Sequence, residues 1–151
     1  MTASEVATMD YVRNYLNLPV PKVLAWSSKA ATNGIGAEYI IMETAQGIQV
    51  SNVWADLDAR KKKNIVNSII STEQKLLEAK FSQYGSLYYK DDIPEVDRAP
   101  RLYADSSRPN DGSETKFCIG PTANRSFYED ERADMDLERG PCALSFVDSL
   151  I

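Results

Sequence analysis

Val6, Met9, Val12 and Leu16 recur at three- and four-residue steps and fall on one side of a helical spiral. This spacing predicts a helix over residues 3–16. Thr2 and Glu5 stand at capping-box spacing, with Thr2 as the N-cap and Glu5 at the third helical position. Pro19 and Pro21 end the helix, since proline lacks the amide proton and clashes with the preceding turn. Residues 22–27 (Lys-Val-Leu-Ala-Trp-Ser) and 37–43 (Ala-Glu-Tyr-Ile-Ile-Met-Glu) predict two strands. Asn33–Gly34 and Gly36 lie between them and are turn signals, so the pair reads as an antiparallel hairpin with a long loop. A connector at 44–50 is broken by Gly47, and 51–55 predicts a helical turn. Asp58 then caps a long helix reaching about residue 80, in which Ile65, Val66, Ile69, Ile70, Leu76 and Leu77 keep the helical rhythm. Burying these six side chains is worth roughly 1.5–3 kcal/mol each, on the order of 10 kcal/mol before entropy. The helix is therefore expected to pack on something.

Beyond Gly85 the pattern loosens. Residues 86–90 predict a strand, and 115–119 a further one bounded by Gly120–Pro121. Between them, 91–114 contain Pro94, Pro100 and Pro109 among Asp, Arg and Ser, and read as an insertion or loop. Residues 124–137 are acidic and weakly periodic, and the tail at 142–151 has no clear role. The expected division is 1–50, 51–90, 91–115 and 116–151, with no internal repeat.

The 151 residues suffice for one domain with a real core. A composition of 43% hydrophobic and 26% charged residues fits a globular chain. The net charge of −5 argues against nucleic acid or an anionic membrane as main partner, since both require a basic surface. Residues 1–90 carry ten basic and eight acidic side chains, whereas residues 91–151 carry seven and fourteen. Cys118 and Cys142 have no pairing pattern and read as free thiols in a reducing compartment. No apolar run approaches a membrane span, and the first ten residues predict neither a signal peptide nor an Arg-rich presequence. The chain contains no histidine, which removes Ser–His–Asp and Cys–His catalysis, imidazole metal ligation and the histidine of a kinase catalytic loop.

Gly34-Ile35-Gly36 is half of a phosphate-loop pattern but precedes a strand and lacks a third glycine, so it reads as a hairpin turn. Arg60 to Lys63 reads as a solvated helix face. The acidic group of Glu129, Asp130, Glu131, Asp134 and Asp136 lacks calcium-loop order and reads as solvated surface. Asn124-Arg125-Ser126 matches a glycosylation acceptor that matters only in a secreted chain.

Three sets of residues carry a resemblance. They are the run from Ser4 to Val12, the run from Pro19 to Trp26, and the run from Gly36 to Glu43 with Gly47. Later runs fit it too: Lys80 to Tyr89, Ile119-Gly120-Pro121-Thr122 and Arg139-Gly140-Pro141. In order and spacing these resemble the fungal branch of the aminoglycoside phosphotransferase family, which includes the altered-inheritance-of-mitochondria proteins. The resemblance implies an α+β chain that is a fragment of a protein-kinase-like fold: end of the N-lobe, hinge, and start of the helical C-lobe. It implies ATP and magnesium as cofactors, and phosphoryl transfer to a small-molecule hydroxyl. It implies the mitochondrion as compartment, where the residues alone indicate only an intracellular, otherwise cytoplasmic, location.

Under that resemblance Glu5 is the helix glutamate that pairs with the ATP-binding lysine. Met42 occupies the gatekeeper position, and Glu43 to Ala45 form the hinge, with the Glu43 carbonyl and Ala45 amide facing the adenine edge. Catalysis of this kind also needs a phosphate-covering loop, a lysine strand, a catalytic Asp and a magnesium Asp. By the resemblance these would lie before Met1 and after Ile151, so no catalytic or metal-binding residue is expected within the chain. Where the family shows Trp after Gly-Pro, this chain has Cys142. The expectation is a phosphotransferase piece inactive by itself. The alternative is a pseudokinase-like interaction module whose exposed sheet edge takes a protein partner; an unrelated α+β domain is the third reading.

Overall fold

The computed structural model describes residues 1–105 and 111–143. Its elements are α1 (Thr2–Asn14), β1 (Val23–Ser27), β2 (Tyr39–Met42), α2 (Val50–Val53), α3 (Ala59–Leu77), β3 (Gln83–Tyr84), β4 (Ser86–Tyr89), α4 (Ser113–Lys116), β5 (Phe117–Gly120) and β6 (Cys142–Ala143). Among the described residues the strands form three separate antiparallel pairs, β1–β2, β3–β6 and β4–β5. The molecule is α+β.

α1 starts one residue earlier than its capping signal predicts. Met1 is the N-cap, Thr2 lies inside the first turn, and no side chain caps the helix. The Glu5 amide bonds to the Met1 carbonyl at 3.2 Å. The buried face is also rotated from the predicted stripe. Ser4, Val6, Ala7 and Tyr11 are buried, whereas Met9 and Val12 are only half-buried. Small Ser4 and Ala7 let the helix lie close on β4, and Tyr11 fills the space beyond them. Asn17, with φ 55°, turns the chain at the helix end so that Leu16 and Leu18 reach the core.

The hairpin forms as the turn signals require. Ala25 pairs with Ile41, Trp26 with Ile40 and Ser27 with Tyr39. Asn33 builds the turn: its Oδ1 accepts from the Ile35 and Gly36 amides, and its Nδ2 donates to Ser27 Oγ and the Ala37 carbonyl. Gly36, at φ 73°, supplies the left-handed backbone.

The deepest layer is β4–β5 against α1. Leu87, Phe117 and Ile119 join Ala7, Tyr11 and Leu16 in one cluster. The strand pair tolerates no side chain at two points. A Cβ on Gly85 would sit 2.3 Å from the Gly120 carbonyl oxygen, and one on Gly120 would sit 2.4 Å from Ile93 Cδ1. The segment read as an insertion or loop is woven into this core. Ala99 donates to Ile119 at 2.8 Å, Ser82 donates to Leu102 at 2.9 Å, and Leu102 and Tyr103 are buried. A chain of buried hydroxyls joins Tyr11, Tyr103 and Ser113, with spacings of 3.0 and 2.8 Å. The predicted start of β5 is corrected: 113–116 form a helical turn, and the strand begins at Phe117. The parts of the loop and tail expectations that fall on 106–110 and 144–151 lie outside the described residues.

α3 departs most from expectation. Asp58 caps it as predicted, accepting from the Lys61 amide at 2.9 Å. None of its 19 residues is buried, and Val66, Ile69, Ile70 and Leu77 are 44–77% exposed. The expected burial of its six aliphatic side chains does not occur among the described residues. The cap and high-propensity residues define the helix locally, while its apolar stripe faces outward. No helix is long and apolar enough to cross a membrane among the described residues.

Candidate functional site

Met42, Glu43 and Ala45 lie where β2 runs out into the connector. Met42 pairs with Val23 and is 39% exposed. The strand exit is clamped: the Glu43 amide donates to the Lys22 carbonyl at 2.9 Å, and the Glu43 carboxylate accepts from the Lys22 amide at 3.0 Å. Arg13 of α1 approaches the same carboxylate at 3.8 Å. These bonds use the amide and side chain of Glu43 and leave its carbonyl outside the clamp. Ala45 is exposed, two residues before Gly47, which bends the backbone at φ 126°. Glu5 is exposed on the first turns of α1, and among the described residues no cation pairs with it. No hydrogen bond or ion pair joins it to the hinge residues. Arg60 to Lys63 stay at the surface, with Lys62 over the Trp54 ring at 5.6 Å. Asn124 caps a turn by accepting from the Ser126 amide at 3.1 Å.

A polar junction that the sequence does not announce lies around Asp10 of α1. Asp10 Oδ2 accepts from Tyr89 Oη at 2.7 Å and from Lys116 Nζ at 2.7 Å, while Asn14 donates to Oδ1. Burial pushes the Asp10 carboxyl up, but the bonds from Lys116, Tyr89 and Asn14 together outweigh it and hold the group below its ordinary range. Burial first, and then the bond to Asp10, push the Tyr89 hydroxyl well up. Lys116 Nζ lies 5.3 Å from the Tyr89 ring centre, and Trp26 tilts over Tyr89 with centroids 6.2 Å apart. Between α1 and β1 this junction opens into a cleft of about 340 Å³, walled by Val6, Met9, Trp26 and Tyr89, with Arg13 and Lys22 among its polar residues. The Asp10–Asn14 spacing is readable as a helical pair, but Tyr89 and Lys116 lie 79 and 106 positions beyond Asp10, and no local pattern points to them. A second, more apolar cavity of about 470 Å³ lies between α1, the end of α3 and β4, lined by Val12, Leu16, Leu76, Tyr84 and Leu87.

The residues fit the resemblance's cofactors unequally. The strand exit at Met42–Ala45 is exposed, and the Glu43 clamp bonds use its amide and carboxylate rather than its carbonyl. No group of three or more Cys, Asp or Glu that could hold a metal occurs among the described residues, and Glu5 lacks a lysine.

Comparison with known proteins places the chain among homologues from fungi. No family model matches it, and no solved structure matches it. Relatives of two named kinds are among those it matches. A subtelomeric hrmA-associated cluster protein of Aspergillus fumigatus is 40% identical over 144 residues, covering 95% of this chain and 26% of the relative. The altered inheritance of mitochondria protein 9, mitochondrial, of Debaryomyces hansenii is 32% identical over 140 residues, covering 85% of this chain and 21% of the relative. The protein of that name from Komagataella phaffii is 31% identical, covering 84% of this chain and 21% of the relative. The chain thus spans about a quarter or less of the length of the curated relatives it matches. Several relatives are named as mitochondrial, which supports the mitochondrion by resemblance.

Proposed function

We propose that this chain supplies the adenine-binding edge of an ATP-dependent phosphotransferase of kinase-like fold, and does not transfer phosphate alone. One observation carries the reading: a helix-backed antiparallel hairpin leaves its second strand through a clamped, exposed junction at Met42–Ala45. That is the arrangement in which a backbone carbonyl and a following amide meet a heteroaromatic edge, one as acceptor and one as donor. Phosphoryl transfer requires cations and carboxylates gathered around the phosphates. Glu5 without a cation, and the absence of histidine, give this chain no such set among the described residues. On this proposal the acceptor site would lie in a part of the longer relatives that this chain does not span.

The test pairs binding with turnover. Ala45→Pro removes the proposed donor while leaving the clamp at Glu43 intact, and Ala45→Ser keeps the amide. Adenosine binding should survive in Ala45→Ser and fall at least tenfold in Ala45→Pro. Radiolabelled ATP with magnesium should yield no phosphorylated small-molecule acceptor above background. Equal binding by all three chains, or turnover by the wild-type chain, overturns the proposal. A non-catalytic interaction module is the second reading, favoured by the outer edges of the β1–β2 hairpin and the stripe on α3, which no strand or core covers among the described residues. A stable complex with a partner protein and no nucleotide binding would select it.

A further inference from the structure

The cleft between α1 and β1 shares Arg13 and Lys22 with the Glu43 clamp, but its lining does not include Met42, Glu43 or Ala45. We propose that it is a binding site for a small planar organic anion, of the class of an aromatic carboxylate. At about 340 Å³ it falls in the range of small-ligand sites, and it combines apolar walls with a few convergent polar groups. Trp26 and Tyr89, tilted by 32°, form an aromatic wall, and Val6 and Met9 of α1 face the same space. A flat ring buries both of its faces between such walls.

The charges decide the sign of the ligand. Three charged residues line the cleft: Asp10, Arg13 and Lys22. The Asp10 carboxylate already takes bonds from Lys116, Tyr89 and Asn14, so its charge is answered within the protein. Arg13 uses Nη1 on the Val20 carbonyl and reaches Glu43 only at 3.8 Å. Its Nε and Nη2 have no protein partner, and the Lys22 ammonium has no ion pair, among the described residues. Glu43 therefore answers the Arg13 charge only from one side, and the Lys22 ammonium is left as the cation in excess at the cleft, with Arg13 Nε and Nη2 as further donors. A carboxylate satisfies them, and a cation is repelled. The Asp10 junction holds Tyr89 from beneath, so the aromatic wall is set before a ligand arrives.

Indole-3-acetate and its neutral counterpart indole-3-acetamide differ at the charge and share the ring. Titrated into the full chain by calorimetry, indole-3-acetate should bind at one saturable site, with the acetamide at least tenfold weaker. Lys22→Gln, at an exposed position, should weaken the acetate about threefold to fivefold, the effect of one exposed charge contact. Lys63→Gln on α3 should not change it, and thermal melts show that both variants fold. Absence of saturable acetate binding at millimolar concentration, equal binding of the two probes, or indifference to Lys22→Gln overturns the proposal.

Discussion

Asp10 is a charged group at the centre of a mostly apolar contact, joined to partners from β4 and α4. Its folded pKa lies below the ordinary 3.8, so the folded chain binds that proton less readily than the unfolded one. The stabilisation is fully present above the ordinary value and is lost as pH falls through the lowered folded value. Asp10→Asn should therefore flatten the acid limb of a stability–pH curve and remove about 1–2 kcal/mol at neutral pH, the scale of a charged hydrogen bond. An unchanged acid limb would show that the junction contributes no linkage. Tyr88 acts at the other end. Burial pushes its hydroxyl up to about 12, so the unfolded chain ionises first and stability should decline as pH rises past the ordinary tyrosine value of 10.0. At the core, Phe117 is fully buried between Tyr11, Tyr15 and Tyr89. Phe117→Ala should cost about 3–5 kcal/mol in denaturant unfolding.

At the scale of elements, α3 and the β4–β5 pair reverse what their patterns suggest. α3 has the strongest apolar rhythm in the sequence and buries nothing, whereas β4–β5 is short and forms the core. Val66→Gln or Ile70→Gln should shift stability by no more than about 0.5 kcal/mol, because each side chain stays largely at the surface, 44% and 46% exposed. Gly120→Ala should destabilise strongly, because the new methyl would meet Ile93 and the Tyr88 ring. A large loss from Ile70→Gln in thermal melts would mean that α3 packs in solution. This contrast shows what was legible. Periodicity and turn chemistry act locally, so α1, the Asn33 hairpin, the Asp58 cap and the strand at 86–89 could all be read. Burial is decided by partners far along the chain. Leu102 and Tyr103 sit among prolines and acids that read as a loop, yet they close the core against Phe81 and Ile119. The rotation of the α1 face follows from β4, which the helix pattern does not contain. The hinge residues came from resemblance alone, and the Asp10 junction joins residues that no spacing connects.

At the scale of the whole molecule, the chain is an α+β unit that matches about 21–26% of the length of these fungal relatives. It presents a clamped strand exit, an uncovered helix stripe and no assembled phosphate chemistry among the described residues. The proposed adenine edge, lacking a phosphate cradle, would have a specific signature: the base carries the affinity and the phosphates add little. The direct measurement is a calorimetric comparison of adenosine and ATP, with magnesium, on the same chain. The account predicts affinities within about fivefold of each other, the effect of roughly 1 kcal/mol. A preference for ATP of a hundredfold or more, or failure of adenosine to bind, would contradict it.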